Sequence, residues 1–203
     1  SRDWSSDVCS SDLYNVAIGF RAMYKNTTGD QNTAVGYQSL YNNTTGKYNT
    51  AIGDVALYTN TSGYWNVAVG AEALWNNTGG IGNVAIGLDA LIGNTTGNYN
   101  VAVGFNAFNT NSTGLNNVAI GANALSQTLY SQYNVAIGHN VMYKNTTGDY
   151  NTAVGYTALY SNTVGRFNTA LGTQSLYSNV GSNNNTGIGY QALYSNVARS
   201  EEH

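Results

Sequence analysis

The sequence predicts an all-β fold, a parallel β-solenoid built from eleven coils of seventeen residues. Three observations lead there. Asparagines stand at Asn15, Asn32, Asn49, Asn66, Asn83, Asn100, Asn117, Asn134, Asn151, Asn168 and Asn185 without slippage, and a fixed period of this order marks a stacked repeat architecture. Each asparagine opens a pentapeptide such as NVAIG, NTAVG or NTALG, whose alternation and β-branched bias suit a short strand. Nowhere does an amphipathic pattern run to the length of a helix.

The elements of one coil follow in order, counting its asparagine as zero. Positions one to three form the strand, with Val16 and Ile18 on one face and Ala17 on the other. The glycine at position four marks a corner or a close backbone approach. A second short element surrounds positions seven and eight, where Met23, Leu40, Leu57 and their successors recur. It reads as a strand in preference to a single helical turn. With position eight facing inward in such a strand, position nine faces outward. Asn at position eleven (Thr128 in one coil) and Gly at position fourteen (Ser131 and Ser182 excepted) close the coil as a turn. Position sixteen is often aromatic, as at Tyr48, Trp65, Tyr99, Tyr133, Tyr150 and Phe167.

One coil by itself buries too few apolar side chains to offset the entropy of ordering it, so each must be completed by its neighbours. At about 4.8 Å per rung the array is a rod roughly 50 Å long, and equal positions lie above one another as ladders. The asparagine column is then a structural ladder that passes amide hydrogen bonds from rung to rung. Position nine supplies two aromatic ladders, Tyr24, Tyr41, Tyr58 and Trp75 in one run and Tyr143, Tyr160, Tyr177 and Tyr194 in another. Their candidate roles are packing between subunits and a rigid surface on which a sugar ring could stack.

The two ends do not share the repeat. Residues 2–13, RDWSSDVCSSDL, hold the one cysteine, and 199–203, RSEEH, are abruptly charged. Both resemble translated sequencing-library adapter: the codons that spell RSEEH are the reverse complement of those that end the first segment. Segments 1–13 and 199–203 are therefore set aside as non-native, residues 14–198 are taken as one repeat array, and the chain is expected to be an internal, metagenomic fragment. Within 14–198 the bases are Arg21, Lys25, Lys47, Lys144 and Arg166 and the acids Asp30, Asp54, Glu72, Asp89 and Asp149. They cancel, so the formal charge of −3 comes from the ends. A neutral array carries no electrostatic footprint for nucleic acid or an anionic membrane. With Cys9 set aside a disulfide framework is excluded, and no apolar run approaches a membrane span.

N-[VT]-A-[IV]-G followed by A-L resembles the head repeats of trimeric autotransporter adhesins, which form a left-handed parallel β-roll in a trimer. The longer form N-T-A-V-G-Y-x-x-L-Y-x-N-T-T-G is similar to arrays in phage tail-fibre-like and bacterial surface proteins. The resemblance covers 14 to about 198, although the adhesin unit is usually shorter. It implies a homotrimer at a cell surface or on a virion. The neutral surface, the near-identical blocks and the lack of any assembled catalytic or metal set point to a shaft or head that acts as a rigid spacer, with a host-surface glycan or protein as the possible receptor.

Chemistry is sparse. Glu72 and Asp89 share position six of adjacent coils, about 5 Å apart by rung spacing. That separation suits a retaining glycosidase, but solvated charge in a turn is the ordinary reading, and no catalytic role is assigned. His139 is the one histidine outside the tail, so neither a metal cluster nor a Ser-His-Asp set assembles. The single Asp residues of GDQNTAVG and GDYNTAVG are too few for calcium. Sequons at Asn26, Asn43, Asn60, Asn94, Asn111 and Asn145 follow from the turn motif. Position one mixes Val and Thr too irregularly for an ice-binding array. No enzyme activity and no cofactor are expected. Residues 21–40 nearly repeat at 140–159, as block duplication would leave them.

Overall fold

The computed structural model describes residues 14–196; the two adapter-like segments lie outside the described residues. Eleven three-residue strands follow one another. They are β1 (Val16–Ile18), β2 (Thr33–Val35), β3 (Thr50–Ile52), β4 (Val67–Val69), β5 (Val84–Ile86) and β6 (Val101–Val103). The rest are β7 (Val118–Ile120), β8 (Val135–Ile137), β9 (Thr152–Val154), β10 (Thr169–Leu171) and β11 (Thr186–Ile188). They form one parallel sheet in sequence order. Each residue pairs with its equivalent seventeen positions on, as Ala85 does with Ala102. The chain is a β-solenoid, and no helix occurs among the described residues.

The strand alternation settles with alanine inside. Ala34, Ala51, Ala68 and Ala85 are fully buried, whereas Ile52 and Ile86 beside them are exposed. The interior is narrow. Alanines at position two meet the alanines and leucines at positions seven and eight, such as Ala73 and Leu74, both fully buried. A β-branched column turned inward would overfill that cross-section.

The segment around Ala-Leu is not the strand that the sequence favours, nor a helical turn. It is two consecutive turns, closed by bonds such as Ala73 N–H to Gly70 O at 3.4 Å and Asn77 N–H to Leu74 O at 3.1 Å. Positions six and eight both have positive φ, 57° at Glu72 and 53° at Leu74. For an L-residue this conformation costs about 1–2 kcal/mol, which full burial of a leucine, about 1.5–3 kcal/mol, offsets. The strand fails because a coil this short must reverse direction here. Leucine still points inward, but by left-handed backbone rather than by pleat.

Position four must be glycine. At Gly104 φ is 131°, and a Cβ there would lie 2.8 Å from the carbonyl oxygen of Gly121 in the next coil. This corner lets successive backbones touch.

Candidate functional site

The outer side of the sheet is a largely apolar wall, with threonine at position one in five of the eleven strands. Positions one and three project from it, with Val16, Ile18, Ile52, Ile86, Ile120, Ile137, Val154 and Ile188 exposed. The columns that flank it in the chain, at positions sixteen and five, add Tyr48, Tyr99, Leu88, Phe105 and Tyr156, all exposed. No Lys or Arg stands in these four columns, and Asp54 is their one carboxylate. The remaining charges of the array fall at positions six, ten and fifteen. Ten rung steps of about 4.8 Å by a strand width of roughly 10 Å give the wall about 500 Å² before its flanks are added. That is within the roughly 300–600 Å² of the largest apolar patch on a typical monomer, a patch that is often functional.

The aromatic ladders at position nine stack face to face. In the first, Tyr24–Tyr41 and Tyr41–Tyr58 have centroids 5.5 and 5.2 Å apart and planes within 14° and 12°. Trp75 ends that run tilted by 53° from Tyr58. In the second, Tyr143, Tyr160, Tyr177 and Tyr194 follow at 5.5, 5.2 and 5.1 Å. Between the two runs the column holds Ile92, Asn109 and Ser126. Apart from Tyr24, which is exposed, these rings are half-buried. Lys25 lies over Tyr41 and Lys144 over Tyr160. Because the rings cover one another, a ladder offers a partner mainly ring edges and hydroxyls. Each stacked pair contributes about 0.5–1.5 kcal/mol beyond its burial.

Position sixteen behaves differently in two places. Tyr133, Tyr150 and Phe167 stack at 4.9 and 5.1 Å with planes about 10° apart. Tyr48 and Trp65, by contrast, are 6.4 Å apart and tilted by 46°, and Tyr64 meets Trp65 edge-on at 4.9 Å. The misfit opens a surface cleft of about 340 Å³ lined by Thr45, Lys47, Tyr48, Tyr64 and Trp65. Lys47, one of these lining residues, has its Nζ 3.1 Å from Asp30 Oδ2. The sequence shows the aromatic period here but not the ring tilts, which follow from having two adjacent aromatics, Tyr64 and Trp65, in one coil.

The asparagine column at position zero is continuous. Asn83 Oδ1 accepts both the backbone N–H and the side-chain N–H of Asn100, at 3.0 and 3.2 Å. Asn83 Nδ2 donates to Asn66 Oδ1 at 3.2 Å and to Gly97 O at 2.8 Å. The same set recurs from coil to coil with every polar site of the buried amide filled. A second ladder, which sequence reasoning treated only as a turn signal, runs at position eleven. Asn43, Asn60, Asn77 and Asn94 each donate to the Oδ1 of the previous member at 2.8 Å. The column is broken at Thr128, whose Oγ1, like Ser131 Oγ, is buried without a partner.

Glu72 and Asp89 sit in the first turn of their coils, each with positive φ and half-buried. His139 stacks on Tyr156 at 5.6 Å. Among the described residues no three His, Cys, Asp or Glu side chains converge as metal ligands, and no helix is long and apolar enough to cross a membrane. Comparison with known proteins finds no matching family model, no matching relative and no matching solved structure.

Proposed function

We propose that the array is a rigid shaft or head segment of an extracellular or virion fibre, and that it self-associates through its outer sheet face. The single observation that supports this most is the wall of positions one and three, kept free of lysine and arginine along every coil. About 500 Å² from the strands, with exposed aromatic flanks besides, approaches the roughly 800 Å² per partner of a stable interface. A cyclic assembly is the simplest closed way to cover such a face on every copy. The trimer implied by the adhesin-like motif is of that kind. In this reading the position-nine rings stiffen the rod, and its length serves as a spacer.

Light scattering on the chain at micromolar concentration tests the association. The expected mass is three times that of one chain. Ile86→Lys with Ile120→Lys, which put two charges on the wall without touching the interior, should give a folded monomer with an unchanged circular dichroism spectrum. A monomeric parent, or a doubly substituted chain that keeps the parent's mass, overturns the reading.

A further inference from the structure

We propose that the cleft of Tyr48, Tyr64 and Trp65 is a binding site for a neutral hexopyranose residue. Sugar rings bind proteins by laying a C–H face on an open aromatic plane while their edge hydroxyls meet polar groups, and most aromatic columns of this rod deny the first requirement. Their rings stand 4.9–5.6 Å apart in near-parallel stacks such as Tyr133–Tyr150 and Phe20–Tyr37, each plane covered by the next. Trp65 breaks the pattern from both sides. Below it, Tyr48 is tilted by 46°. Above it the column holds Gly82, where a Cβ would lie 2.7 Å from Cδ1 of Tyr99, so that ring leans over the gap and no side chain of that rung stacks on the indole. Tyr64 stands at 78° to Trp65 as a side wall. Trp65 is left 55% exposed.

The wall of the cleft is almost wholly apolar, as a platform for a C–H face requires, and Lys47 and Thr45 are the polar residues among those that line it. Lys47 Nζ holds Asp30 at 3.1 Å while its side chain is half-exposed, and an ammonium has three N–H donors. Donor and acceptor charge side by side, already neutralising one another, fit hydroxyl groups better than a charged ligand. A volume near 340 Å³ lies at the lower end of small-molecule sites, enough for one or two sugar rings. The chain also contains its own control. The equivalent stretch seven coils on keeps the ion pair, Arg166 with Asp149 at 3.3 Å. It has Asn183 and Asn184 in place of Tyr64 and Trp65, and its rings are closed in a stack.

Because position sixteen flanks the self-associating wall, the sugars are titrated against the monomeric Ile86→Lys, Ile120→Lys chain as well as the parent, and saturable binding to either supports the site. Methyl β-D-galactopyranoside, methyl β-D-glucopyranoside and methyl α-D-mannopyranoside are titrated in turn against the full chain, read by saturation-transfer NMR and indole fluorescence. Saturable binding of at least one is expected, with transfer strongest to its ring C–H protons. Trp65→Ala and Tyr64→Asn should each weaken it by about tenfold or more, and Phe167→Ala should leave it unchanged. Tyr64→Asn installs the residue that the sister coil carries, which keeps the test open if the tryptophan change impairs folding. No saturable response to any of the three sugars overturns the proposal. So does binding that survives both cleft substitutions, or that falls equally with Phe167→Ala.

Discussion

Asn83 Oδ1 accepts two hydrogen bonds from Asn100, one from its backbone N–H at 3.0 Å and one from its side chain at 3.2 Å. A side chain here replaces the backbone acceptor that a parallel ladder would need at this rung, and both asparagines are fully buried. Removing it leaves one buried group unpaired, the Asn100 N–H, whereas the Gly97 carbonyl keeps its bond from Asn94 Nδ2 at 3.2 Å. Asn83→Ala should therefore cost about 1–3 kcal/mol, measured by urea unfolding. A loss below 1 kcal/mol would show that the ladder is decorative.

Asn83→Asp tests the same site by charge. The introduced carboxylate faces Asn66 Oδ1 and Gly97 O, which are both acceptors. Burial and these oxygens raise its pKa above the unfolded value, so the folded state binds more protons than the unfolded state. The penalty is then full above the raised pKa and is relieved as pH falls through it toward the unfolded value. The variant should gain stability relative to the parent on acidification; a parallel pH profile for the two proteins would refute this.

Thr128 and Ser131 depart from the repeat together. A Cβ on Gly46 would meet both Oδ1 of Asn43 in the same turn and the carbonyl oxygen of Gly63 in the next coil, so losing the asparagine at eleven relieves one of the two contacts that a serine at position fourteen makes. The other serine, Ser182, keeps its Asn179, and there the ladder bond to Asn162 lengthens to 3.4 Å. Thr128→Asn with Ser131→Gly should restore the column, satisfy two buried hydroxyl positions and raise stability by about 1–3 kcal/mol. Thr128→Asn alone should gain much less, giving a coupling of about 1 kcal/mol or more in a double-mutant cycle. Simple additivity of the two changes would argue against the steric link.

Position six is left-handed in every coil, with φ of 53° to 55° where Asn106, Asn123 and Asn140 occupy it. Val55 adopts 47° at the same place. A β-branched residue is a poor fit to this region, whereas asparagine is enriched there. Val55→Asn should raise the unfolding midpoint and add about 1 kcal/mol, the lower end of the cost of such strained residues. A lower midpoint would mean that packing by the valine outweighs its backbone strain.

Register predicts how the rod tolerates deletion. Removing 83–99 takes out one complete coil, so every column closes up and the rod should shorten by about 4.8 Å with its fold intact. Removing 83–100 leaves the joined coil one residue short, and a one-residue slip sends the alternating strand side chains to the wrong face. Solution scattering and circular dichroism on the two deletions should show one folded, shorter rod and one disrupted chain. Equal tolerance would mean that the coils are not locked in register.

What the sequence determined by itself was whatever repeats. The period dictated stacked parallel strands, the Asn column was legible as a buried ladder, and the recurrence of Leu74 and its equivalents marked them as interior. Three things were decided only by the tertiary structure. A strand of Val-Ala-Val alternates in the same way whichever side is buried. The narrow cross-section chose alanine for the inside and left the branched residues as an apolar outer wall. The Ala-Leu segment has the composition of a strand, yet closing the coil in seventeen residues demands two reversals and puts Leu74 at a φ of 53°. That sign is set by where the next coil must begin, not by the residues nearby. The cleft at Trp65 is likewise a product of stacking. Its neighbours in space, Tyr48 one coil below and Gly82 one coil above, lie seventeen residues away on either side. Ring tilt depends on all of them together, because a flat ring can stack only on a neighbour that presents a matching plane.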